Sequence, residues 1–170
     1  MKKLIIVAVA LFAAAGFAFA ANDSLEVSGT IPQKLTVAVG TDVSIGELNV
    51  SGATVSLGNA TIRSNIRAWT VGVTATKGKL TLHDGTNYDD TQQITYTYSF
   101  NAGGAAGEKL SSVTLSTSAQ VITFARKTTG GSSGEVFPME IAYAAESAGP
   151  NTNWVQGTYK DVITVTVTAG

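Results

Sequence analysis

The chain has 170 residues, with no cysteine, one histidine, 18 glycines and 3 prolines. Charged residues make up 14% and the formal net charge is −1, against roughly 25% charged residues in ordinary soluble domains. Without cysteine there is no disulfide, thiolate zinc site, iron–sulfur cluster or cysteine nucleophile. One histidine leaves almost nothing for histidine-based catalysis or metal binding.

Residues 1–20 read as an export signal. Met1, Lys2 and Lys3 make a short positive start, residues 4–15 are unbroken apolar, and Ala18-Phe19-Ala20 offers small residues at the two positions a signal peptidase reads. Polar Asn22-Asp23-Ser24 follow at once. The expectation is cleavage after Ala20, one mature domain over 21–170, and a place in the periplasm, on the cell surface or in the medium. Both early lysines leave with the signal, so eleven basic residues become nine against twelve acidic ones. No basic stripe remains to collect phosphates, which argues against nucleic acid. No second apolar run follows, so no membrane span is expected in the mature protein. A domain of this size buries about 68–70% of its unfolded surface and can hold together without disulfides.

The mature chain contains 23 threonines and is rich in valine, residue types that suit pleated, half-buried surfaces. Leu25, Val27, Gly29 and Ile31 share one parity, and Leu35, Val37 and Val39 continue it after Pro32. Trp69, Val71, Val73 and Ala75 form a second alternating row, Ile94, Tyr96, Tyr98 and Phe100 a third, and Ile163, Val165, Val167 and Ala169 a fourth. Shorter strands are expected at 43–50, 54–57, 60–64, 80–83, 112–115, 120–124 and 136–144. Turn chemistry separates them, with Lys77-Gly78, Asp84-Gly85 and the glycine-rich stretches after Asn101 and Thr129. No mature segment carries a sustained 3.6 period. The pattern predicts an all-β protein, a single antiparallel β-sandwich of roughly eight to ten strands with immunoglobulin-like Greek-key wiring. Tyr159 has the parity of Ile163 and should close one end of the core, with Asp161 near the strand's edge within reach of water.

Candidate sites are few. His83 reads as a surface histidine at a strand end, since no G-x-S-x-G elbow accompanies it. The loop 84–90 gathers Asp84, Asn87, Asp89 and Asp90, oxygen donors of the kind calcium takes, but without EF-hand spacing, so a solvated turn is the default. Trp154 lies in a polar loop and Tyr88 is a second loop aromatic. Either could stack on a sugar ring, although Trp154 folding back over the core fits its size better. Glu135 and Glu140 differ in parity and need not share a cleft. No cofactor is implied.

The stretch Gly157-Thr158-Tyr159-Lys160-Asp161 before a terminal strand over 162–169, with Ala60-Thr61-Ile62-Arg63-Ser64-Asn65 leading to Trp69-Thr70-Val71-Gly72-Val73, resembles bacterial secreted surface sandwiches. The nearest in style are spore coat protein U type domains and, more distantly, chaperone–usher pilins. The resemblance implies a structural subunit that self-associates or joins related surface subunits, with Leu25, Val27, Gly29 and Ile31 as a strand donated to a neighbour. Read from the residues alone, the same segment is the first strand of a complete domain. The absence of cysteine departs from the pilin pattern. The functional expectation is an exported structural protein without catalysis; the alternative is a carbohydrate-binding or adhesive module resting on Trp154 and Tyr88.

Overall fold

A computed structural model describes residues 26, 28–48, 51–145 and 154–170. Residues 1–20, expected to be an export signal, and Leu25 and Val27 lie outside the described residues. The β body spans Pro32–Gly170, and its described residues form ten strands: β1 (Leu35–Val39), β2 (Ala53–Ser64), β3 (Trp69–Ala75), β4 (Lys79–His83), β5 (Tyr88–Phe100), β6 (Leu110–Val113), β7 (Gln120–Phe124), β8 (Glu135–Tyr143), β9 (Thr158–Lys160) and β10 (Ile163–Ala169). No helix occurs among the described residues, and none is long and apolar enough to cross a membrane.

The strands form two antiparallel sheets. The larger runs β1-β2-β8-β5-β4-β9, with β6 also on β5, and the smaller runs β10-β3-β7. Their inner faces meet through aromatic side chains. Trp69 on β3 stacks on Phe124 of β7 at 4.1 Å, and both rings pack edge-on against Phe137 of β8 at 6.3 and 5.5 Å. Tyr96, Tyr98, Phe100, Ile62 and Ile141 complete the buried centre, as the alternating rows predict. The immunoglobulin arrangement places strands A-B-E-D in one sheet and C-F-G in the other. Here β1-β2-β8-β5 take the places of A-B-E-D, and β3 and β10 those of C and F. Among the described residues nothing takes the place of G beside β10.

The structure corrects several strand expectations. Residues 54–57 and 60–64 belong to one strand, β2, interrupted by a bulge between Ser56 and Asn59. The extra residue there, with Gly58 at φ +80°, lets the inward row pass from Val55 and Leu57 to Ala60 and Ile62. β5 reaches back to Tyr88, because its first half pairs with β4 through a register shift; Tyr88, Asp89 and Asp90 are therefore strand residues. Tyr159 does not continue the terminal strand. Asp161 and Val162 break the chain, so Tyr159 pairs with Leu82 of β4 and still packs against the core. Asp161 stands just before β10, half-buried and so within reach of water, and three donors hold its carboxylate. No strand forms over 43–48, although the alternation is present; residues 49 and 50 lie outside the described residues.

Candidate functional site

The distinctive site is the outer edge of β10, beside which no strand lies among the described residues. In an antiparallel pair, opposite residues alternate between those exchanging backbone hydrogen bonds and those whose N–H and C=O point away from the partner. Thr76 N–H donates to Val162 C=O at one end of the β10–β3 ladder, and Gly170 N–H donates to Ala68 C=O at the other. The even positions of β10 therefore bond to β3. The odd positions Ile163, Val165, Val167 and Ala169 turn their N–H and C=O groups toward the open edge. Across the gap, β1 is in the same state. Asn65 N–H donates to Lys34 C=O, so the odd residues Leu35, Val37 and Val39 direct their backbone groups away from β2. Cα atoms of β1 and β10 approach within 8 Å, yet no ladder joins them.

The side chains agree with the backbone. Inward residues of β3 are buried without exception, whereas Ile163, Val165 and Val167 of β10 are only half-buried. Past the end of β1, between the stretch 39–48 and the start of β10, lies a groove of about 990 Å³ with an apolar floor. One wall is the continuous stretch 39–48, the other runs from Trp154 to Ile163 and Val165, and Leu57, Leu80, Tyr96, Met139 and Ile141 form the floor. Val167, Leu35 and Val37 do not line it, so the groove is widest at the start of β10 and narrows toward its end.

Asp161 fixes the wide end. Its Oδ2 accepts the Tyr96 hydroxyl at 2.8 Å, and its Oδ1 accepts the N–H groups of Lys77 at 2.9 Å and Val162 at 2.7 Å. One carboxylate thus ties the start of β10 to the β3–β4 turn and to the middle of β5. Burial, and then the bond to Asp161, pushes the Tyr96 phenol well above the usual tyrosine range. At the narrow end Asn65 clamps the chain entering β1: its Oδ1 accepts Lys34 N–H at 2.7 Å and its Nδ2 donates to Pro32 C=O at 2.8 Å. In the sequence Asn65 stands only between an expected strand and Trp69, and Asp161 only near a strand's edge; nothing local marks either as a hub. The signal available was the position of each beside a strand end.

The other candidate residues fall elsewhere. Trp154 lines the groove and packs edge-on against Tyr143 at 6.1 Å. Tyr88, His83, Asp84, Asn87 and Asp89 line a second cavity of about 400 Å³, so the two loop aromatics line different cavities. His83 packs edge-on against Tyr88, and the Lys77 ammonium sits 5.0 Å from the Tyr88 ring centre. Asp84 Oδ1 accepts the N–H groups of Thr86 and Asn87, which holds its carboxyl below the usual range. Asp89 accepts from the Thr91 hydroxyl and N–H and is lowered likewise. Asp90 pairs with Lys77 at 2.7 Å. Among the described residues no group of three or more acidic or histidine side chains is placed to hold a metal ion. Of the partner-strand candidates, Gly29 and Ile31 are described; residues 28–31 form no strand, and Ile31 is 85% exposed. Glu135 lies at the start of β8 in an ion pair with Arg126, and Glu140 is half-buried further along the same strand.

No family model matches the chain, and no curated protein matches it. Among solved structures it is similar to a chain of the structure described as "Chaperone-tip adhesin complex is vital for synergistic activation of CFA/I fimbriae biogenesis", at 13% identity and a TM-score of 0.47. The match covers 80% of this chain and 42% of that one, so this chain spans less than half of that protein's length.

Proposed function

We propose that the protein is an exported structural subunit of a bacterial surface assembly, of coat or fimbrial type, whose sandwich is completed in trans by a strand from a second copy. The observation that carries this reading is the edge of β10. Four alternate residues turn their backbone groups there toward no described strand, and two of them, Ile163 and Val165, hold half-buried apolar side chains over the groove. Such an edge is a template for strand addition, in which main-chain bonds give affinity and alternate side chains fill the floor. The occupant with matching chemistry is the segment 25–31. It has seven residues, as β10 does, and one alternating apolar row. At about 3.3 Å per residue both extend over roughly 20 Å; the groove takes the occupant beside Ile163 and Val165 as it stands, and β1, whose Cα atoms come within 8 Å of β10, must move aside for the rest, since an intervening strand needs about twice 4.8 Å. The role requires no catalytic step.

Size-exclusion chromatography of the chain from Ala21, compared with a chain lacking residues 21–31, tests this. The longer protein is expected to run as oligomers and the shorter as a monomer. Equal self-association of the two overturns strand donation. An intact chain that stays monomeric but loses stability on truncation shows the segment filling its own chain's groove, which overturns donation in trans.

A further inference from the structure

We propose that residues 41–47 are a latent strand, ordered only when the groove is occupied, so that the incoming strand is bonded on both flanks. This rests on the strand-acceptor reading above and concerns the wall opposite β10. The odd row of β1 continues past its end: Leu35, Val37 and Val39 are followed by Thr41, Val43 and Ile45. Such alternation normally marks a strand, yet none forms beyond Val39. Ile45 and Leu48 pack partly against the core, while Val43 is 44% exposed. The segment lines the groove along its whole length.

The bulge in β2 explains why the segment does not simply extend the β1–β2 ladder. Continuing the register that joins Val39 to Ala60 would set Val43 opposite Ser56 and Ile45 opposite Thr54. Those two β2 residues face solvent, because the extra residue between Ser56 and Asn59 has reversed the parity of the strand. Residues opposite one another share a face, so a continued ladder would turn Val43 and Ile45 outward. The segment keeps its apolar row inward only with a partner on the groove side. There its odd backbone groups have the same orientation as those of Leu35, Val37 and Val39, and an occupant between them and β10 would meet donors and acceptors on both edges.

Amide hydrogen exchange on the chain lacking residues 21–31, whose groove has no donor segment of its own and whose body from Pro32 is a compact unit in itself, with and without excess synthetic peptide of residues 22–33, tests this. The peptide is expected to slow exchange at Val165 and Val167 and, at least tenfold, at Val43 and Ile45. A Val43→Pro variant is expected to capture the peptide about tenfold more weakly while its β10 amides are still slowed at saturation. Slowing at β10 without slowing at 43 and 45 overturns the latent strand and leaves the acceptor reading standing. Slowing at 53–57 instead shows the segment closing onto β2 and also overturns it. No slowing on either wall overturns both readings.

Discussion

Arg126 shows how single residues hold the end of the sandwich opposite the chemistry of the groove. Its guanidinium bonds both oxygens of Glu108 and both of Glu135 at 2.7–3.1 Å, and its carbonyl accepts the Trp69 indole N–H at 2.6 Å. Bidentate pairing of this kind is the strong form of an ion pair. The Arg126 bond holds the Glu135 carboxyl below the usual glutamate range, with the Thr129 N–H adding to it. A depressed folded value means that the contribution to stability is present above about pH 5 and is lost as the pH falls through the folded value. Glu135→Gln is therefore expected to destabilise the protein by about 2 kcal/mol near pH 7. The difference from the parent should shrink steadily below pH 4.5. Urea unfolding of both proteins from pH 7 to pH 3 measures it, and parallel curves would remove Glu135 from the acid response. None of this was legible in the sequence beyond the residue types, since Glu108, Arg126 and Glu135 are brought together by two loops and a strand start.

At the scale of elements, long alternating rows were readable and pairing was not. The row ending in Phe100 and the row from Trp69 to Ala75 appear where their parity placed them, because a buried face fixes register strongly. The described part of the stretch 43–50, residues 43–48, forms no strand, since alternation reports a residue's fitness for a strand and not the presence of a neighbour. β10 gives a sharper test of its own assignment. Val165 directs its N–H to the open edge, so Val165→Pro removes no existing ladder bond, whereas Thr166→Pro removes one to Gly72. Proline is tolerated where the N–H faces solvent on an edge strand and not where it serves the ladder. Thermal unfolding should show Thr166→Pro losing stability severely, by about 3 kcal/mol or more, and Val165→Pro losing markedly less. In assembly assays the ranking at that single position should reverse the comfort of folding: Val165→Pro, though folded, should fail to polymerise. Equal destabilisation by the two prolines would contradict the assigned ladder.

For the whole molecule, ten strands were close to the number expected, but their division between sheets was not visible in advance. Among the described residues seven lie in one sheet and three in the other, and on the strand-acceptor reading an added strand beside β10 would extend the smaller sheet. Sheet membership depends on contacts between residues distant in sequence, and no local pattern encodes it. An occupant that binds the folded state alone stabilises it by mass action, about 2.7 kcal/mol at a hundredfold excess over its Kd. For a domain of this size that corresponds to a rise of roughly 5–10 °C in Tm. The peptide of residues 22–33 is expected to produce such a rise in the chain lacking residues 21–31, and a scrambled peptide none; calorimetry at several peptide concentrations checks it.

The Asn65 clamp has a mechanical consequence. If residues 25–31 are gripped by a neighbouring copy, tension enters the body at Pro32, directly at the two bonds made by Asn65. From there it passes along β1, whose ladder to β2 spans five residue pairs. Pulled lengthwise, those bonds are loaded together in shear instead of being peeled open one after another. The amide that begins as a turn residue thus acts as the mooring through which a filament would transmit load from one subunit to the next.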